Sequence, residues 1–226
     1  GLMAVIAHAF FVFKQISLTN GFNLSLMALS SVVAWFVCAI TVLNSFRQPL
    51  STVLVIIYPI AIAMILWSFS GDPNPVVRAD YSHGIVLHIL SSILAYSILS
   101  IAAAQALVLI SQEKRLKQHK LKGLLKVLPP MQTMEQILFE LIVLGTLLLS
   151  VAILSGAVFV DDLFAQHLIH KTTFTLLAWG LFVILLAGRI KLGWRAGPAA
   201  RWTFSGFTCL ALAFVGTKVV LEYLIN

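Results

Sequence analysis

Seven long apolar runs, separated by short polar breaks, divide the chain. They cover residues 2–17, 24–46, 50–69, 83–111, 134–159, 168–190 and 202–224. A helix needs roughly 20 apolar residues to cross the hydrocarbon of a bilayer, and each run meets that length or comes near it. The runs are continuous and do not alternate apolar with polar positions, so they predict helices and not the strands of a membrane barrel. The breaks carry turn chemistry: Asn20-Gly21, Pro49 after Arg47, the stretch from Gly71 through Pro75, and Pro129-Pro130. Pro59 falls inside the third run and is expected to kink it.

Composition narrows the class further. Of 226 residues, 60% are apolar and only 10% charged, and mean hydropathy is +1.01. So little polar surface cannot coat a soluble domain of this size, whereas lipid solvates the excess. The expected fold class is therefore all-α, a polytopic transmembrane bundle of about seven helices forming one membrane domain over 1–226. Gly1 opens directly into an apolar run with no basic segment or cleavage site, so a signal peptide is not expected. The short first run and the missing initiator Met lead us to expect a truncated start. Cys38 and Cys209 lie far apart in apolar runs and read as packed side chains, not a redox or metal pair.

The charge balance of +7 reads as a topology signal facing anionic lipid, not as a nucleic-acid surface, because the bases lie between the apolar runs. The connection after residue 111 holds Lys114, Arg115, Lys117, Lys120, Lys122 and Lys126. The connection after 188 holds Arg189, Lys191, Arg195 and Arg201, and Arg47 sits in the second break. These are 11 of the 15 Lys and Arg residues, all in alternate loops, while the intervening loops hold Asp72, Asp80, Asp161 and Asp162. The positive-inside rule puts the basic loops in the cytoplasm and the C-terminus outside. Residues 113–127 form a basic cytoplasmic segment. Its Leu116, Leu121, Leu124 and Leu125 either dip into the lipid interface or belong to a plain solvated anchor.

Ionisable groups inside the runs are the candidate chemistry, because burying them in hydrocarbon is costly. Lys218 and Glu222, spaced i, i+4, are expected to pair with each other. Glu140 is left open between capping a buried polar network and staying protonated. His88 lies about a turn and a half inside the fourth run, on a stripe of small residues comprising Ser91, Ser92, Ala95, Ala102, Ala103 and Ala106. Such a stripe marks the close approach of another helix and turns His88 into the bundle. His170 and Lys171 lie at nearly the same depth, and His8 lies in the middle or outer half of the first run. An imidazole at this depth should hold an iron, a hydroxyl or a carbonyl. His88, His8 and His170 are candidate ligands on either side of a flat cofactor such as haem, in a cavity shared by the first, fourth and sixth helices. Lys171 or Arg78 would take its carboxylates. The competing reading is a hydrogen bond from His88 and a stripe that serves packing alone. His83, His119 and His167 read as solvated. Paired carboxylates, Ser-x-x-Lys, His-Glu-x-x-His and phosphate-cradling glycine loops are absent from the sequence, so no catalytic residues are assigned.

The run LHILSSILAYSILSIAAAQALVLI, ahead of a basic loop, resembles the haem-handling membrane proteins of cytochrome c assembly. So does MEQILFELIVLGTLLLSVAILSG, closing on Ser155-Gly156. The match continues through HKTTFTLLAWGLFVILLAGRIKLGWRAGPAARWTFSGF, with Lys171, Trp179, Arg189 and Gly193-Trp194-Arg195. The resemblance covers roughly 82–224 as a core and is similar to the YpjD-type inner-membrane branch, which has a further helix at its start. It implies a bacterial inner-membrane location and haem as cofactor, with His88 carried over by motif. His8 has only a loose match and His170 none. The departures matter too. The family's tryptophan-rich external loop is replaced by VFVDDLFAQHLIHKT, its inner histidine by Gly188, and the last helix has no His. The resemblance thus implies a haem-associated assembly or accessory protein that does not itself deliver haem to apocytochrome. The alternative is a non-haem scaffold that steadies a partner membrane protein.

Overall fold

Each of the seven runs folds into a helix. The computed structural model describes residues 1–18, 21–23, 25–46, 51–69, 77–78, 82–118, 128–159 and 169–223. The helices are α1 (Leu2–Ile16), α2 (Leu26–Asn44), α3 (Leu54–Ser68, after a single 3₁₀ turn at Ser51–Val53), α4 (His83–Lys117), α5 (Met131–Phe159), α6 (Ile169–Leu192) and α7 (Ala196–Tyr223). By length and composition α2, α4, α5 and α6 can cross a membrane, whereas α1 and α3 are shorter apolar helices. The fold is an all-α polytopic membrane bundle. Much of the outer loop at 160–168, the basic residues 119–127 and the side chains of Lys218 and Glu222 lie outside the described residues.

Local chemistry sets several helix ends. Ser25 Oγ accepts the Ala28 N–H at 3.3 Å and Ser82 Oγ accepts the Ile85 N–H at 3.4 Å, satisfying donors that the first turns of α2 and α4 would leave unpaired. The α3 helix continues through Pro59. The 35 residues of α4 span about 50 Å at 1.5 Å per residue, so its basic end projects beyond a hydrocarbon core of about 30 Å.

One element is absent from the sequence pattern. Strands β1 (Ser17–Leu18), β2 (Gly21–Asn23) and β3 (Val77–Arg78) form a small antiparallel sheet in that order. Phe22 pairs with both Ser17 and Arg78. The patch covers the bundle end where α1 and α3 finish and α4 begins.

Helix α4 is the axis of the bundle and packs against α2, α5 and α7. Ala95, Leu99, Ile101, Ala102, Ala106 and Leu109 are fully buried, as the small-residue stripe predicts. The α4–α5 seam is antiparallel and unusually close, because glycines leave room for side chains across it. A Cβ on Gly84 would meet the Phe159 ring at 2.2 Å, and one on Gly145 would meet Leu99 at 2.6 Å. Farther along the seam Gln105 Nε2 donates to the Met134 carbonyl at 3.2 Å and Gln112 Nε2 to the Pro129 carbonyl at 3.0 Å. Tyr96 Oη donates to the Leu210 carbonyl at 2.7 Å, tying α4 to α7, and Trp179 Nε1 donates to Ser150 Oγ at 2.9 Å, tying α5 to α6.

Candidate functional site

His88 sits on the α4–α5 seam near the end capped by the sheet. Its Nδ1 lies 2.7 Å from the Ala152 carbonyl oxygen. A carbonyl only accepts, so Nδ1 carries the proton and donates it, and Nε2 keeps its lone pair. No hydrogen bond to that Nε2 is found among the described residues. The ring is half-buried and rests on Gly156, where a Cβ would come within 2.9 Å of both Cε1 and Nδ1. The Ser155-Gly156 pair is thus the seat of the imidazole, with Ser155 Oγ also donating to the Ala152 carbonyl at 3.1 Å.

The other expected ligands go elsewhere. His8, buried on α1, has Nε2 3.2 Å from Ser31 Oγ on α2. The two histidines therefore belong to different helix interfaces, and His88 faces α5 in place of the expected cavity between the first and sixth helices. The cause is Gly156: removing a side chain there lets the seam close around the ring. His170 is exposed in the first turn of α6. Lys171, beside it and also exposed, lies within charge–charge range of His88, so the structure does bring that predicted pair together. The side chain of Arg78 lies outside the described ones.

Haem iron takes neutral imidazole, and a ligating histidine ordinarily donates its other ring N–H to a carbonyl or carboxylate, which fixes the tautomer and orients the ring. His88 has that donor arrangement, and Lys171 supplies a cation near it. The residues present therefore fit one axial contact to such a group.

A second cluster, at the opposite end of the bundle, escaped the sequence reading. Glu135 on α5 is 5% exposed. Its Oε1 accepts from Arg189 NH1 at 2.5 Å, and its Oε2 accepts from the Ala196 N–H at 3.2 Å and lies 3.7 Å from Arg195 Nε. Arg189 also donates to the Trp194 carbonyl at 2.9 Å and stacks on Phe139 at 4.4 Å. One carboxylate thus joins the end of α6, the α6–α7 turn and the first turn of α7. Sequence reasoning examined Glu140, which is exposed and accepts from Gln136 Nε2 at 2.9 Å. The available signal was a Glu one turn into an apolar helix, at the same depth as Arg189. The turn itself needs Gly193, at φ 63°, a region that side-chain-bearing residues rarely occupy. Gly188 has a specific role here: a Cβ on it would meet the Trp194 ring at 2.4 Å. The place where the resemblance expects an inner histidine is filled by that indole, which stacks on Trp202 at 5.4 Å.

Comparison with known proteins adds to this geometry. The chain is 27% identical over 203 residues to Inner membrane protein YpjD of Escherichia coli (strain K12), covering 90% of this chain and 77% of that protein. It is 27% identical over 152 residues to Cytochrome c biogenesis protein CcsA of Chlamydomonas reinhardtii, covering 66% of this chain and 42% of that one. It is 30% identical over 90 residues to the CcsA of Synechocystis sp., covering 39% and 27%. No solved structure matches. The family described as Cytochrome C assembly protein matches residues 1–225, taking in the first three helices as well as the Ser155-Gly156 seat and the Arg189–Arg195 turn. A match across essentially the whole chain places this multi-pass membrane protein in the cytochrome c assembly protein family.

Proposed function

We propose that this protein is a haem-associated assembly or accessory protein of cytochrome c biogenesis in the bacterial inner membrane, with no catalysis of its own. The observation that supports it is the His88 imidazole, whose Nδ1–H is held by the Ala152 carbonyl while Nε2 has no partner among the described residues. In this reading His88 is an axial ligand and Lys171 meets a haem carboxylate. His170, next to Lys171, is the candidate for the opposite axial position, and His8 plays a smaller part because Ser31 already engages it. Haem supplies a redox-active iron when bound, and the protein holds and orients it. The relatives' printed names, an inner-membrane protein and two cytochrome c biogenesis proteins, agree with this reading. The proposed protein does not present haem to apocytochrome, because the 159–168 loop has Asp161, Asp162 and Gln166 where an apolar aromatic platform is needed. The test is the absorbance spectrum of protein purified in detergent: a Soret band is expected. A clean protein spectrum would instead favour the scaffold reading, in which the close seating of His88 on Gly156 serves packing alone and the bundle steadies a partner membrane protein.

The proposed orientation has the 113–127 segment and the 189–201 loop in the cytoplasm. In a background with Cys38 and Cys209 replaced by alanine, a cysteine placed beside Asn226 is expected to react with an impermeant thiol reagent in intact cells. Reaction only after lysis would reverse the orientation.

A further inference from the structure

At the sheet-capped end, away from His88, the end of α1, the start of α2 and the end of α3 enclose a cavity of about 400 Å³. Its walls are chemically divided. Phe11 and Phe69, 5.1 Å apart by ring centroid, give it an apolar side continuous with the membrane-facing helices. Lys14, Gln15 and Ser25 give it a polar side.

Two of those polar groups are unmatched within the protein. Gln15 Nε2 donates to the Ser68 carbonyl at 3.1 Å, but Gln15 Oε1 is buried with no hydrogen-bond partner among the described residues. A buried acceptor in that condition calls for a donor from outside the chain. Lys14 is exposed, and its one described contact is the Phe10 ring at 4.9 Å, with no carboxylate in ion-pair range among the described residues. Lys14 also stands outside the basic loops that set topology. In the proposed orientation it lies on the external side, where that rule gives a lysine no role.

A ligand that answers all three features has an anionic group for Lys14, an O–H donor for Gln15 Oε1 and an apolar body for the two phenyl rings. We infer that this cavity binds the headgroup of a phospholipid with a hydroxyl-bearing phosphodiester, of the phosphatidylglycerol type, with its chains running down past Phe11 and Phe69. The depth fits, because the cavity lies at helix ends where headgroups lie. The inference is independent of the haem reading.

Native mass spectrometry of the detergent-purified protein tests it, using phosphatidylglycerol, phosphatidic acid and phosphatidylcholine of matched chains, with glycerol phosphate as a soluble competitor. Phosphatidylglycerol should be retained about fivefold over phosphatidylcholine, the worth of one basic residue at a lipid surface. Lys14→Gln should remove that preference, while Lys191→Gln at the opposite end should keep it. Equal retention of the three lipids would overturn the site, as would a preference that survives Lys14→Gln or is lost equally in Lys191→Gln. Phosphatidic acid bound as well as phosphatidylglycerol would exclude the hydroxyl contact to Gln15. Displacement of the lipid by equimolar glycerol phosphate would reassign the cavity to a free phosphate ester, and retention of no lipid would leave it to water.

Discussion

His88→Ala is expected to purify from membranes in near wild-type yield and to lack the Soret band of the parent protein. The folded state should tolerate the change because the Ala152 carbonyl is not orphaned: Ser155 Oγ still donates to it at 3.1 Å. Loss of the imidazole hydrogen bond costs about 1 kcal/mol, and the vacated space lies against Gly156 at the partly open end of the seam. Iron ligation has no such reserve. Among the described residues no group of three or more His, Cys, Asp or Glu side chains converges as a metal site, so nothing nearby replaces the Nε2 lone pair. Lys171→Gln should weaken haem retention less, since an exposed charge near a carboxylate contributes at most about 1 kcal/mol. An unchanged Soret band in His88→Ala would remove His88 as ligand.

Glu135→Ala should be the most destabilising single change in the bundle, by about 3 kcal/mol. That is the low end for breaking a buried ion pair, chosen because the Arg189 side chain is 37% exposed and water can partly resolvate it. The loss has several parts: the Arg189 guanidinium loses its counter-charge, the Ala196 N–H loses its acceptor, and Arg195 loses its nearest carboxylate. Thermal unfolding in detergent measures it. Glu135→Gln keeps an acceptor for Ala196 and should fall between the two. The double change Glu135→Met, Arg189→Met should recover much of the deficit, because it leaves no charge stranded in an apolar setting. Should Glu135→Ala melt with the wild type, the cluster is not holding the α6–α7 turn.

The sequence by itself determined the fold class, the seven helices and the breaks between them. Those features are local: a run of apolar side chains long enough for the hydrocarbon can satisfy its backbone only as a helix, and Pro, Gly and charge mark where it stops. It also singled out His88, its small-residue stripe and Lys171 at matching depth, because an ionisable group in an apolar run stands out at once. Pattern could not say which neighbour each group meets. Apolar residues surround α4 on every side, so its periodicity does not name a partner, and only packing put His88 against Ala152 and Gly156 and His8 against Ser31. The three-stranded patch depends on Phe22 pairing with Arg78, too distant in the chain and too short in each strand to leave a period. The start of α7 shows the same division. Gly197-Pro198 reads as a break, and the expected helix began at 202. In the structure it begins at Ala196, because proline is tolerated in a first turn and the carboxylate of Glu135, 61 residues away, accepts the Ala196 N–H.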